Sequence, residues 1–217
     1  MHQKFLLAST SSYRAQLLTS VIPEFSVINP KTDETNLPTE SPQEKCLRLA
    51  VQKALDGLKL AGSTNHIAIG SDQVAHLGDK TFSKPGDFDT AMAQLRACSN
   101  MWVCFSTGIA LCRQQHQQDS IDKNINETAS GLVLAKGYET YKIKFRELHD
   151  KEIADYLHAE EPFDCAGSIK AEGLGIRLIE DSQGRDINTL YGLPLMLLTD
   201  LLKNLAIHPS YAINNQH

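Results

Sequence analysis

The sequence predicts a mixed α/β fold of the α+β kind, in which helices flank a twisted sheet and two lobes enclose a central cleft. Strand-like and helix-like segments alternate along the 217 residues, but irregularly, which favours a mixed sheet over a strictly doubly wound one. With 41% hydrophobic residues the chain can bury a core, and its length suits one substantial domain. We therefore expect a single domain over residues 1–217.

The first predicted unit is a strand, a loop and a helix. Lys4 to Ala8 is typical of a short buried strand, and the hydroxyl-rich run Ser9 to Ser12 can cap a helix that carries Leu17 and Leu18. N–H groups at the start of a helix are unpaired and can bind an anion, and the guanidinium of Arg14 suits phosphate oxygens. Taken alone, a Ser/Thr cluster of this kind is more often only a helix cap.

The second predicted helix has marked ends. Ser41 can cap it, Pro42 fits its first position, Glu44 completes a capping box, and Gly62 ends it. Its apolar stripe consists of Leu47, Ala50, Val51, Ala54, Leu55 and Leu58.

An apolar strand is predicted next. His66 to Gly70 is typical of a buried central strand that ends just before Ser71, Asp72 and Gln73. An acid directly after such a strand lies at the carboxyl edge of the sheet, where ligand sites of open α/β folds form. Asp72 is therefore a candidate base for water or a metal ligand, although an acid in a local turn explains the pattern equally well.

The second half of the chain alternates in the same way. The predicted elements are a turn at Gly78-Asp79, a helix from about Asp87 to Cys98, strands at Trp102–Cys112 and Glu139–Phe145, a helix from Asp150, a glycine-opened strand at Gly173–Ile179, and a closing helix over Leu193–Leu205. The polar segment between Arg113 and Gly131 has no core periodicity. It predicts an exposed, mobile insertion without a role in chemistry.

Charge and cysteine usage argue against several classes of protein. A net charge of −5 disfavours a broad basic surface for nucleic acid or anionic membrane. The five cysteines are odd in number and scattered, which indicates reduced, mostly buried thiols rather than a zinc site. No apolar run approaches the length of a signal segment or a membrane span. We expect a cytoplasmic protein with no nucleic-acid or membrane partner.

Other polar residues are candidates for a site. The acidic pair Asp33-Glu34 suits Mg²⁺, which usually takes one or two protein carboxylates together with substrate phosphates. Lys53 lies on the second predicted helix, and Lys84 is held by a stiff Lys-Pro turn. Each of these residues alone is more often an ordinary surface residue. A last polar cluster comprises Ser168, Lys170 and Glu172.

The order of these motifs resembles the Maf family of nucleoside triphosphate pyrophosphatases. The resemblance runs from about residue 4 to 205. Its motifs are Leu-Ala-Ser-Thr-Ser-Ser-Tyr-Arg at 7–14, Asp33-Glu34, Lys53 within 50–54, Gly-Ser-Asp-Gln at 70–73, Ser-Lys-Pro at 83–85 and Ala-Gly-Ser-Ile-Lys-Ala-Glu-Gly at 166–173. It implies the fold that Maf proteins share with inosine triphosphatase, a divalent cation (Mg²⁺ or Mn²⁺), a small-molecule nucleotide substrate and a homodimer.

The details are similar to the 7-methyl-GTP pyrophosphatase branch of the family, because the dTTP/UTP branch generally has Ala-Asp-Thr in place of Ser71-Asp72-Gln73. The resemblance implies that Asp72 is the catalytic acid/base or a metal ligand, with Glu34 as the other metal ligand. Tyr13, Gln73 and Glu172 are implied to select the base. The residues implied to bind the phosphates are Ser9, Ser11, Arg14, Lys53 and Lys84.

This assignment makes physical sense for a methylated guanine. The 7-methyl base carries a delocalised positive charge that the ring of Tyr13 can stack against, and the carboxylate of Glu172 can accept from the ring N–H and the exocyclic amine together. Three positions depart from the family pattern. Ser12 stands where proline is common, Tyr13 where this branch often has tryptophan, and Ala15 where a second arginine is frequent.

The expected reaction is hydrolysis between the α- and β-phosphates, which gives a nucleoside monophosphate and pyrophosphate. Three alternatives remain open at this stage. The same chemistry can act on dTTP, UTP or a broader set of nucleotides, or the chain can be a nucleotide-binding regulator of cell division without turnover. A nucleic-acid-binding module is less well supported because the chain is not basic.

Overall fold

The structure is a computed structural model that describes residues 4–62, 66–113, 126–128 and 131–208. Within these residues the strands are β1 Lys4–Ala8, β2 Phe25–Ile28, β3 His66–Leu77, β4 Lys80–Phe82, β5 Trp102–Arg113, β6 Asn126–Thr128, β7 Gly131–Phe145 and β8 Ile179–Gln183. The helices are α1 Ser12–Thr19, α2 Pro42–Ala61, α3 Phe88–Cys98, α4 Asp150–Glu160 and α5 Leu195–Asn204.

The strands form one mixed sheet, as the sequence predicts. Its order is β2-β1-β3-β5-β7-β6, with β4 paired to β3 and β8 paired to β7. Strand β1 runs parallel to β2 and β3, whereas the other pairs are antiparallel. Strand β3 is therefore the point where the parallel and antiparallel halves of the sheet meet.

Three groups of buried side chains hold the helices on this sheet. Helix α2 packs its small residues near Ala68 on one face of the sheet, and helices α1 and α5 pack near Ile69 on the opposite face. Ala68 and Ile69 lie on opposite faces because successive residues of a strand point to opposite sides of the sheet. Helices α3 and α4 join a third group around Phe105 and Phe145, at the other end of β3 and β5. Asp72 lies on β3 between Ile69 and Ala75, where these groups meet.

Both ends of α2 match the prediction. The hydroxyl of Ser41 accepts a hydrogen bond from the Glu44 N–H at 3.2 Å, and the Glu44 carboxylate accepts from the Ser41 N–H at 2.9 Å. Gly62 ends the helix with a φ of 59°, a backbone conformation that glycine adopts without strain. None of the described helices is both long and apolar enough to cross a membrane.

The predicted end of the central strand at Gly70 is wrong, because β3 continues through Ser71, Asp72 and Gln73 to Leu77. The polar residues stay in the strand because the fold provides partners for them. Asp72 pairs with Gly108 of β5, and the Ser71 hydroxyl lies 2.8 Å from the Gly192 carbonyl. Asp72 therefore projects from the middle of a central strand rather than from its carboxyl end.

The predicted strand at Gly173–Ile179 is also wrong over most of its length. Residues 174–178 form a 3-10 helix, and strand β8 begins only at Ile179. The Lys170 carbonyl accepts from the N–H groups of both Gly173 and Gly175, at 3.1 and 3.0 Å, and so closes a tight turn. A Cβ at Gly175 would overlap that carbonyl oxygen, so this glycine serves a close approach rather than a strand start.

The predicted insertion between Arg113 and Gly131 is described only in part. Strand β5 reaches Arg113, residues 126–128 form β6, and Gly131 begins β7. Residues 114–125 and 129–130 lie outside the described residues.

All five cysteines are free thiols, as the sequence predicts. Cys46, Cys98 and Cys112 are buried, and burial raises the pKa of each to about 12. These three thiols are therefore protonated and unreactive at neutral pH.

Helix α2 touches the sheet directly at Gly70, which predicts a large loss of stability on replacing this residue with alanine. The new Cβ would clash with the Ala50 carbonyl oxygen and lie 2.7 Å from the Ala54 nitrogen, both of them helix backbone atoms. We expect the free energy of unfolding, measured in urea, to fall by about 3 kcal/mol.

A matched control separates this clash from a general cost of alanine in the sheet. The three atoms nearest to a Cβ at Gly137 on β7 would all belong to the flexible side chain of Leu197, at 3.3 to 3.8 Å. Gly137→Ala is therefore expected to change stability little. Equal losses in the two variants would contradict the close approach of α2 to β3.

Candidate active site

The described residues enclose a cleft of about 1050 Å³ beside the middle of β3. Its walls are the β1–α1 loop, the segment after β2, the loop after β4 and the segment around residues 164–172. All of the predicted site residues line it: Ser9, Ser11, Tyr13, Arg14, Glu34, Lys53, Asp72, Gln73, Lys84 and Glu172. The structure thus brings the predicted residues together, and their individual roles stay predictions.

Lys53 forms the centre of the site. Its ammonium lies 2.6 Å from Asp72 Oδ1 and 2.7 Å from Glu34 Oε1. The side chains of Lys53 and Asp72 are each only 10% exposed, whereas that of Glu34 is 47% exposed. A buried charge of this kind needs its partner, so Lys53 and the two carboxylates hold each other in place.

The surrounding charges keep Glu34 ionised. Partial burial by itself would raise the pKa of Glu34, but the hydrogen bond and charge of Lys53, with the charges of Lys84 and Arg14, outweigh burial and lower it. The neighbouring Asp33 has a different task, because its carboxylate closes a local turn by accepting from the N–H and hydroxyl of Thr35. Of the acidic pair, Glu34 is thus the residue that lines the cleft.

The start of α1 presents hydrogen-bond donors to the cleft. Ser11 caps the helix by accepting from the Arg14 N–H at 3.3 Å, and the Ser9 hydroxyl accepts from the Ser11 N–H at 3.1 Å. First-turn N–H groups of a helix have no acceptor within the helix, and the helix dipole is positive at this end. This arrangement suits an anionic group.

Arg14 is oriented by the opposite wall of the cleft. Its Nε donates to the Gly192 carbonyl at 2.8 Å and its Nη1 donates to the Ser9 hydroxyl at 3.5 Å, and these two bonds orient the planar guanidinium. Burial lowers the pKa of Arg14, and the charges of Asp72 and Glu34 oppose this effect. An arginine remains charged under such conditions and can bind phosphate.

Lys84 reaches the same cleft from the loop between β4 and α3. The loop is fixed because the Gly86 N–H donates to the Phe163 carbonyl at 3.0 Å, with Gly86 at a φ of 76°. Lys84 itself is exposed, and its charge acts on Glu34. Three cations therefore surround the two carboxylates.

The three residues predicted to select the nucleobase differ in how firmly their side chains are held and in how exposed they are. The Gln73 amide nitrogen donates to the carbonyls of Thr189 and Leu190, at 2.8 and 3.0 Å, so this side chain is fixed with its oxygen able to accept. Tyr13 is 42% exposed, which leaves its ring accessible for stacking. Desolvation, followed by the charges of Glu160 and Asp164, raises the pKa of Glu172.

Several residues of the cleft were not predicted from the sequence, notably Asp164, Tyr191 and Gly192. The carbonyl of Gly192 accepts from both Arg14 and Ser71, and the φ of Gly192 is 94°. A signal was present in the run Tyr-Gly-Leu-Pro at 191–194, where a glycine precedes a proline at a helix start. Asp164 has no comparable local signal.

The donor set fits a hard divalent cation better than zinc. The described residues contain no group of three or more His, Cys, Asp and Glu side chains placed to hold a metal. Glu34 and Asp72 nevertheless direct carboxylate oxygens to one point, which Lys53 marks. Mg²⁺ accepts such a pair because substrate phosphates and water complete its coordination.

Comparison with known proteins identifies the family. The profile of the family described as Maf-like protein matches residues 4–205. The 7-methyl-GTP pyrophosphatase of Nitrosococcus oceani is 42% identical over 91% of this chain and 91% of its own. That of Chromohalobacter salexigens is 41% identical over 95% and 98%, and that of Pseudomonas savastanoi pv. phaseolicola is 41% identical over 91% and 94%.

Among solved structures, the Staphylococcus aureus Ham1 protein overlaps 67% of this chain and 73% of its own, with a TM-score of 0.41 and 12% identity. That overlap is too low to support a conclusion about the site. The family profile and the relatives, in contrast, extend over nearly the whole chain. This chain belongs to the Maf family.

Proposed function

We propose that this chain is a nucleoside triphosphate pyrophosphatase that hydrolyses 7-methyl-GTP to 7-methyl-GMP and pyrophosphate. The observation that carries the proposal is the contact of the buried Lys53 with both Asp72 and Glu34, in the same cleft as Arg14 and Lys84. The names of the three relatives point to the same reaction.

The cations of the cleft hold the triphosphate in this proposal. Arg14, Lys84 and the start of α1 bind phosphate oxygens and neutralise part of their charge. Lys53 can exchange one of its carboxylate partners for a phosphate oxygen, since its ammonium has three donors. These contacts fix the α-phosphorus and stabilise the charge that develops on the leaving pyrophosphate.

Asp72 is the residue that activates water. Its carboxylate lies in the interior of the cleft wall, held by Lys53, and can accept the proton of a water molecule that attacks the α-phosphorus. The bond between the α-phosphorus and the oxygen bridging to the β-phosphorus then breaks. A divalent cation held by Glu34 and Asp72 would polarise the phosphate oxygens and favour ionisation of water.

The nucleobase is recognised by a second group of cleft residues. Tyr13 offers its ring face to the cationic 7-methylguanine, Gln73 offers an amide oxygen, and Glu172 accepts from the paired donors of guanine. A pyrimidine has no equivalent donor pair. The wrong base would leave the carboxylate without its partners, which gives the site its selectivity.

The test is pyrophosphate release from a panel of nucleotides with Mg²⁺ or Mn²⁺ present. We expect 7-methyl-GTP to have the highest kcat/KM, above GTP, dTTP and UTP. A preference for dTTP or UTP would assign the chain to the other specificity. Tight binding without any pyrophosphate release would instead favour a non-catalytic regulator.

The cellular location and the oligomeric state are proposed from the same family resemblance. We propose a cytoplasmic homodimer that acts on free nucleotides. Light scattering coupled to gel filtration tests the dimer, and a single-chain mass would contradict it.

A further inference from the structure

The part of the cleft around Glu172, where the proposed function places the nucleobase, carries a second carboxylate, Asp164. Both residues line the cleft. Asp164 is exposed, and among the described residues its carboxylate accepts a hydrogen bond from the weak thiol donor of Cys165, at 3.4 Å. Its carboxylate is therefore available to a ligand rather than held in an ion pair with an arginine or a lysine.

The backbone fixes Asp164 from both sides. The carbonyl of the preceding Phe163 accepts from the Gly86 N–H at 3.0 Å, and the N–H of the following Cys165 donates to the Pro162 carbonyl at 3.1 Å. The first bond ties the segment to the loop that carries Lys84, and the second closes a turn within the segment itself. The carboxylate is thus presented to the cleft by a turn with little freedom.

Negative charge accumulates in this part of the cleft. The charges of Glu160 and Asp164 both act on Glu172, adding to the desolvation that raises its pKa. The cation among these residues is Lys170, and its ammonium donates to the Glu160 carbonyl at 2.7 Å. Three carboxylates around one ammonium leave a net negative environment.

We propose that Asp164 is a specificity-determining residue that, together with Glu172, selects a positively charged base over its neutral counterpart. The proposal rests on the proposed function and refines it. 7-Methyl-GTP and GTP carry the same triphosphate and the same donor pair for Glu172, so neither feature separates them. The positive charge of the methylated ring does, and a fixed nearby carboxylate stabilises that charge.

The experiment compares Asp164→Asn with the parent on 7-methyl-GTP and on GTP. We expect the ratio of the two kcat/KM values to fall by about tenfold in the variant, the effect of roughly one pKa unit of charge interaction, with the value for GTP little changed. Asp181→Asn is the matched control, because this acid lies on β8, is exposed and can keep its hydrogen bond to Ser182 N–H as asparagine.

Salt gives a readout that a change of shape would not produce. If charge selects the base, the preference of the parent for 7-methyl-GTP falls as ionic strength rises, and that of Asp164→Asn falls less. An unchanged ratio in Asp164→Asn, or equal salt dependence of the two proteins, would overturn the proposal.

A failure of the proposed function can be told apart from a failure of this inference. Calorimetry of 7-methyl-GMP and GMP binding measures the same discrimination without turnover. If the parent releases no pyrophosphate but prefers 7-methyl-GMP, and Asp164→Asn loses that preference, then the charge selection stands and the enzymatic proposal fails. If the parent hydrolyses 7-methyl-GTP and Asp164→Asn discriminates like the parent, the reverse holds.

Discussion

Asp72→Asn is expected to lower kcat for pyrophosphate release by about 10³-fold, while nucleotide binding changes much less. The substitution keeps the size of the side chain but removes its charge and its ability to accept a proton from water. The phosphate-binding cations are unchanged, so the substrate still has its main contacts. The loss therefore falls on kcat rather than on KM.

The position of Asp72 makes this effect specific. The residue lies in the middle of β3, paired with Gly108 of β5, so its backbone has no freedom to compensate by moving. Lys53 keeps Glu34 as a partner in the variant, which preserves one of its two ion pairs. We expect the variant to remain folded.

Single-turnover and steady-state assays of pyrophosphate release measure the effect, and circular dichroism checks the fold. Asp181→Asn on β8 serves again as the control for removal of one carboxylate away from the cleft. A folded Asp72→Asn protein that turns over at the parent rate would refute the role of Asp72 as the base.

Local signals predicted the elements whose ends are determined by nearby residues. Helix α2 begins after Ser41 and ends before Gly62 as expected. The capping box of Ser41 with Glu44 and the left-handed glycine each act within one turn of the helix. Many but not all residues of the cleft could be named in advance, because the family resemblance supplied the order of its motifs. The structure adds that they line one cleft and shows that Lys53 bridges the two acids.

The errors arose where distant parts of the chain provide the partners. Ser71 and Gln73 suggested a strand end, yet carbonyls near residues 189–192 satisfy their side chains and the strand continues. Likewise, the Glu160 carboxylate accepts from the Leu174 N–H at 2.6 Å and helps to fold the predicted strand into a 3-10 helix. Contacts between residues so far apart cannot be read from local periodicity.

Lys53→Met is expected to lower the free energy of unfolding by about 3 kcal/mol in the absence of divalent cations. Methionine keeps most of the volume but removes the ammonium that pairs directly with both the buried Asp72 carboxylate and Glu34. The estimate is at the lower end for a broken buried pair, because the side chain of Glu34 is 47% exposed and water screens it. Urea unfolding with EDTA present measures the loss.

The matched control is Lys151→Met, which removes a lysine from an ion pair of the same length on the surface. Lys151 lies 2.6 Å from Asp155, but the two side chains are 87% and 65% exposed. Because water screens so exposed a pair, this change is expected to leave the free energy of unfolding almost unchanged. Similar losses in the two variants would show that burial of the Lys53 pair does not stabilise the fold.

Added Mg²⁺ tests what the two carboxylates are for. In the parent the Lys53 ammonium occupies the point that Asp72 and Glu34 share, so a cation must compete with it. In Lys53→Met this competition is gone, and we expect Mg²⁺ to raise stability more in the variant than in the parent, because a ligand that binds only the folded state stabilises it. If Mg²⁺ restores nothing to Lys53→Met, then Glu34 and Asp72 do not form a cation site, and water activation would rest on the Asp72 carboxylate alone.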